Sequence, residues 1–147
     1  MFKKFKMDYD LSRKMYEENK YLVKVKECYH NIALLVINHI TYEEELCDIK
    51  VAFGAWQISL GNEDNQSNVY AKHCFFLLGD KVIDTTHFTT TKEQEDRNYL
   101  VFKTFDISEY LKALENNNKD TSLPKYTEKV YRSMFLKMME ANLVLLG

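Results

Sequence analysis

Cys28, His73 and Asp84 have the types for a nucleophilic triad, in a workable order along the chain. A thiolate is a strong nucleophile and a thiol a poor one, so a reactive cysteine needs surroundings that favour its anion. A histidine beside it takes the proton and forms an ion pair, and a carboxylate holds the imidazole in the useful tautomer. Cys28 stands in ECYHNIALLV. If a helix starts at Glu27 or Cys28, the unpaired N–H groups and partial positive charge of its first turn favour the thiolate.

His73 and Asp84 lie in AKHCFFLLGDKVIDTT, Ala71 to Thr86, which reads as two short strands around a tight turn. A glycine opening a two-residue loop suits a type II′ hairpin, whose twist matches the flanking strands. With Gly79 and Asp80 as the loop, Leu78 faces Lys81, Phe75 faces Asp84 and His73 faces Thr86. His73 and Asp84 are then diagonal neighbours on one face, with Cα atoms roughly 7–8 Å apart, a gap that long side chains bridge. For an isolated pair, a surface histidine facing an aspartate at a strand end is the commoner arrangement. Cys28 upstream is what favours the functional reading.

Several elements must hold these residues in place. Residues 1–10 read as a loosely held arm. Leu11–Asn19 reads as a helix, with KYLVKVK beyond it alternating enough for a short extended piece. The run Ile32–Ile37 is apolar throughout; its length, extended to about Ile40, predicts a buried central helix with Cys28 in its first turn. Asp48–Leu60 reads as a strand in which Gly54 marks a bulge or a close backbone approach. GNEDNQSN, residues 61–68, is a polar loop. The hairpin follows, then a threonine-rich loop to about Arg97, a strand over Tyr99–Phe105, and a short helix capped by Asp106 or Ser108. After an exposed linker, Lys125 to about Leu145 reads as a last helix with one apolar side. The fold class is α+β: one domain over 1–147, an antiparallel sheet packed on the Cys28 helix.

Composition excludes several classes. A chain of 147 residues, 46% hydrophobic, with ten tyrosines and nine phenylalanines, fills a core without disulfides or metal. Its net charge of −2 is spread over well-mixed charges, so no basic footprint for nucleic acid stands out. No apolar run approaches the ~20 residues of a membrane span. MFKKFKMDYD lacks the apolar region of a signal peptide. An odd count of three cysteines without framework spacing fits reduced thiols and a cytoplasmic setting.

The layout resembles the papain-like and transglutaminase-like cysteine hydrolase superfamily, in which a cysteine opens a central helix and histidine and aspartate sit on adjacent strands of the following sheet. Three segments carry the resemblance: ECYHNIALLV, VAFGAWQISLG and AKHCFFLLGDKVIDTT. The first and last are similar to the Cys–x–x–Asn and Val-Ile-Asp-x-Thr patterns of small bacterial and phage members. The resemblance implies Cys28 as nucleophile, His73 as acid and base, and Asp84 as orienter. Papain-type enzymes often carry a glutamine shortly before the cysteine for the oxyanion hole. Residues 19–27 contain none, which leaves Asn19, Tyr21 or a backbone N–H pair including that of Cys28.

Other candidates carry structural readings. His30 reads as a surface residue, His39 as a helix-end cation, His87 as a loop residue placed where it could approach the site, Cys47 as a small buried hydrophobe and Cys74 as core on the face opposite His73. Zinc held by Cys28, Cys47, His73 and Cys74 lacks any supporting C-x-x-C or H-x-x-x-H pair. No metal or cofactor is expected. Trp56 and Tyr70 are candidates to line the cleft.

The reading is a cysteine-dependent amide hydrolase of peptidase, isopeptidase or glutamine-deamidase type, acting on a peptide, a protein or a small amide. Specificity would come from residues 61–70 and 85–98 or from a partner. The alternatives are a sequestering or inhibitory binder on the same fold, and an acyltransferase that passes the acyl group to an amine.

Overall fold

The computed structural model describes residues 3–60, 67–91, 93–140 and 144–146. Five strands close on themselves: β1 (Lys4–Met7), β2 (Lys50–Leu60), β3 (Ser67–Leu78), β4 (Lys81–Ile83) and β5 (Asn98–Asp106), in the order β2–β5–β1–β4–β3 with β3 returning to β2. The result is a small barrel within an α+β fold. A sixth strand, β6 (Val144–Leu146), runs beside β3.

Most pairings are antiparallel, as read from the sequence, but β1–β4 and β3–β6 are parallel. Residues 4–7 are thus no loose arm. KFKM pairs with β4 on one side and β5 on the other. It supplies Phe5 and Met7 to the apolar barrel interior, formed with Ala52, Phe75, Leu77, Val82 and Tyr99. Asp8 ends the strand and caps helix α1 (Tyr9–Asn19), accepting from the Leu11 amide at 3.0 Å.

The period-2 alternation of the strands sorts the remaining core. Val51, Phe53, Cys74, Phe76 and Phe105 face outward, under Met15 of α1 and Ile32, Leu35 and Val36 of α2 (Cys28–Asn38). Ala55, Tyr70 and Leu100 pack with Met138 of the last helix, α4 (Pro124–Glu140). That helix ends earlier than its apolar positions suggested, and residues 144–146 pair with β3 instead. Helix α3 (Ile107–Asn116) starts with a capping box in which Asp106 and Glu109 bond each other's backbone amides.

Gly54 meets both readings made of it. The register between β2 and β5 shifts at Phe53/Gly54, and a Cβ there would overlap the Leu100 carbonyl. Of the polar loop read over 61–68, residues 61–66 lie outside the described residues, and Ser67 and Asn68 belong to β3. KYLVKVK forms no regular element. The threonine-rich loop contains a 3₁₀ turn over Thr86–Thr89.

Candidate functional site

The hairpin has the register read from its turn. Leu78 pairs with Lys81, Leu77 with Val82 and Phe76 with Ile83, after which the chain leaves the ladder. Gly79 takes φ 62° while Asp80 keeps a negative φ, the pattern of a II′ turn. His73 points to the barrel interior, at its mouth, and Asp84 follows directly from β4. The two side chains meet: His73 Nε2–H donates to Asp84 Oδ2 at 3.0 Å, with both residues buried.

Cys28 is the first residue of α2, half-buried, and lies close enough to His73 to act on the charge of its imidazole. Glu27 makes no side-chain cap, so no carboxylate from that position occupies the helix start. Because a carboxylate only accepts, Nε2 of His73 carries a proton and Nδ1 is the nitrogen left for the thiol.

The electrostatics favour a charged pair. Burial alone would push the His73 pKa down; the charge and hydrogen bond of Asp84, with Cys28 beyond, reverse this and raise it well above the ordinary value. Burial would likewise raise Asp84. His73, the Tyr99 hydroxyl at 2.7 Å and the Arg97 guanidinium at 3.7 Å instead hold its carboxyl below the usual range. All three groups converge on Oδ2, while Oδ1 has no hydrogen-bond partner among the described residues.

Several of these supports are not apparent from local sequence. Tyr99 faces inward from β5, and the only signal for it is a polar aromatic ring at an inward strand position. Arg97 lies over the Trp56 ring, 4.6 Å from its centre, and bonds Glu95 at 3.1 Å. The Asp84 amide donates to Ser12 Oγ at 3.0 Å. Asn31, one turn after Cys28, bonds both backbone groups of Lys24 (2.9 and 2.8 Å) and Thr86 Oγ1 (3.0 Å). It ties the cysteine helix to the loop ahead of it and to the chain just past Asp84.

A cleft of about 500 Å³ opens over Cys28 and His73. Trp56 lines it, as expected; Tyr70 does not, being buried beneath α4. His87, read as a loop residue, forms part of its wall. It is buried, donates through Nε2 to the Glu93 carbonyl at 2.9 Å, and leaves Nδ1 with no partner among the described residues. Neither of the named oxyanion side chains reaches the cleft: Asn19 bonds the Met15 carbonyl and faces His39, and Tyr21 is solvent-exposed. The Cys28 backbone N–H remains from that set.

Cys74 is buried on the opposite face, and burial pushes its thiol pKa well up. Cys47 is exposed rather than buried, because the 3₁₀ turn over Glu44–Leu46 buries Leu46 and leaves the next residue outside. Among the described residues no group of three or more His, Cys, Asp or Glu side chains is arranged to hold a metal ion. No helix there is long and apolar enough to cross a membrane.

Compared with protein-family models, curated proteins and solved structures, the chain finds no match.

Proposed function

We propose that the protein is a cysteine-dependent amide hydrolase of the papain-like and transglutaminase-like kind. The observation that carries this reading is the buried 3.0 Å His73–Asp84 hydrogen bond beside a cysteine in the first turn of a helix, all at one cleft. A histidine and aspartate paired for structure alone have no need of a cysteine beside them at the start of a helix.

The chemistry follows from the protons. The Cys28 thiolate, paired with the His73 imidazolium, attacks the amide carbonyl carbon. The C–S bond forms, and the Cys28 N–H stabilises the oxyanion. On collapse the C–N bond breaks and His73 protonates the departing amine. Water then attacks the thioester, giving its proton to the imidazole, and the carboxylic acid leaves as the thiolate–imidazolium pair is restored. Asp84 keeps Nε2 protonated throughout and stabilises the imidazolium, with Tyr99 and Arg97 fixing the carboxylate.

Alkylation across pH tests the reading, with the exposed Cys47 as internal reference. Cys28 should react with iodoacetamide through a wild-type pH dependence that His73→Ala abolishes. Identical profiles in the two proteins would remove the nucleophile assignment.

A further inference from the structure

The cleft has a sign. Among the described residues that line it are Lys26, Lys72 and Arg97, and no aspartate or glutamate. Composition does not account for this, since the whole chain carries a net charge of −2. Nor are the three cations equivalent. Arg97 is committed to Asp84, Glu95 and the Trp56 ring. Within the site the charges of Asp84 and Arg97 offset each other, as do those of a Cys28 thiolate and a His73 imidazolium.

Lys26 and Lys72 therefore remain as uncompensated charge. Both are exposed, and neither pairs with a carboxylate among the described residues. Lys26 immediately precedes the Glu27 cap of the cysteine helix, in a left-handed turn (φ 61°). Lys72 precedes His73 on β3, with its ammonium 5.3 Å from the centre of the Tyr131 ring. That ring belongs to α4 and fixes where the ammonium rests. Lys26 thus stands just ahead of the nucleophile, and Lys72, on the face of β3 opposite the His73 ring, borders both the cleft and the neighbouring cavity that Tyr131 lines.

We propose that the substrate carries a carboxylate beside the scissile amide, as an acidic residue of a peptide would, held between Lys26 and Lys72. This rests on the hydrolase reading and narrows it. Two rim cations focus an anion into the cleft and favour the bound state. Each solvent-exposed charge pair is worth little singly, so the preference for acid over its neutral isostere should be about fivefold to tenfold, and salt should reduce it.

Peptidyl vinyl sulfones with glutamate, glutamine or lysine beside the warhead test this, with Cys28 labelling rates read by intact mass spectrometry on the full chain. The expected order is glutamate, glutamine, lysine, with the glutamate advantage shrinking at 0.5 M salt, where the Debye length falls to about 4 Å. Lys26→Gln and Lys72→Gln should each reduce the glutamate/glutamine ratio severalfold, and Lys72→Glu should turn the preference toward the lysine probe. Equal rates for glutamate and glutamine, or a ratio untouched by all three variants, would overturn the carboxylate assignment while His73-dependent labelling left the hydrolase reading standing. Labelling by no probe, or labelling indifferent to His73→Ala, would overturn the hydrolase reading and this inference with it. Thermal melts identify any variant that fails to fold, and the remaining substitutions then decide.

Discussion

The Tyr99 hydroxyl stands 2.7 Å from Oδ2 of Asp84, the same oxygen that receives His73. One carboxylate oxygen thus accepts from β5 and from β3 at once, which fixes the plane of the carboxyl group and with it the imidazole. Tyr99→Phe removes this bond and leaves the ring packing in place. Hydrogen bonds to a charged group contribute about 1.5–3 kcal/mol, so the variant should melt lower, by about 2–4 °C for each kcal/mol lost. Turnover should fall further than stability explains, and a wild-type rate at wild-type pH dependence would remove Tyr99 from the positioning set.

The ion pair sets a pH signature. Asp84 is held below its ordinary pKa, so its stabilisation is present above about pH 4 and lost as pH falls toward the folded value. His73 is held above its own, so its share is complete below about pH 6.5 and lost as pH rises through the folded value. The stability difference between wild type and Asp84→Asn should therefore be largest between about pH 4 and 6.5, where breaking a buried pair costs on the order of 3–5 kcal/mol. Urea melts across pH measure it. A difference that is flat from pH 3 to 9 would contradict the charged pair.

Catalysis and sequestration part at Cys28. In the proposed enzyme Cys28→Ala and His73→Ala abolish turnover, Cys28→Ala with the fold kept and His73→Ala with a lower melting temperature because it strands the buried Asp84 carboxylate, and Asp84→Asn lowers kcat by about two to four orders of magnitude. Cys28→Ala should still bind substrate, because the nucleophile acts mainly on the transition state. A binder gives the reverse: Cys28→Ala is silent and Trp56→Ala weakens the complex. Tyr70 no longer serves in that comparison, since it is fully buried and its loss would disturb the packing of α4.

Asn31→Ala should loosen the site without touching a reacting group. It strands three hydrogen bonds, at Lys24 and Thr86, at a residue with no exposed surface. A loss of about 1–3 kcal/mol in stability is expected, with a lower kcat and faster hydrogen exchange at residues 24–27. Unchanged exchange there would show that the loop is held by other means.

Gly54→Ala should be among the most damaging small substitutions. The added methyl would meet the Leu100 carbonyl, which belongs to a backbone and cannot swing aside. Strand β2 must then part from β5, at a cost of about 3 kcal/mol or more. Chemical denaturation that finds Gly54→Ala as stable as wild type would refute the close approach.

What could be read from sequence here was local. The II′ turn, the Asp106 cap and the apolar helix after Cys28 each depend on residues a few positions apart, and their chemistry is explicit in the residue types. The His73–Asp84 meeting is an extension of that local order, since a two-residue loop dictates which side chains share a face. Ser12 and Tyr99 were missed, and Asn31 was marked only as the Asn of the Cys–x–x–Asn pattern, because their roles depend on partners outside their own elements. KFKM looked like a basic arm for the same reason: four residues with two inward apolar side chains become a strand only when both edges of the gap between β4 and β5 are present. Cys47 misled by type, because cysteine is usually buried and a turn here places it outside.

Strand β1 has a consequence for when the protein becomes chemically competent. It completes the ring, its neighbour Asp8 bonds the Val82 carbonyl at 2.8 Å, and Ser12 holds the Asp84 amide across 72 positions of chain. Contacts that span so much sequence pay loop closure before they are rewarded, so we expect them to form after the local ones. Helix α2 and the His73 hairpin, being local, are available earlier. A partly folded chain would pair the imidazole with its carboxylate, 11 positions on at the end of the same hairpin, before the distant contacts fixed Cys28 beside them. In the proposed enzyme the thiol is then armed only when the distant contacts close the barrel.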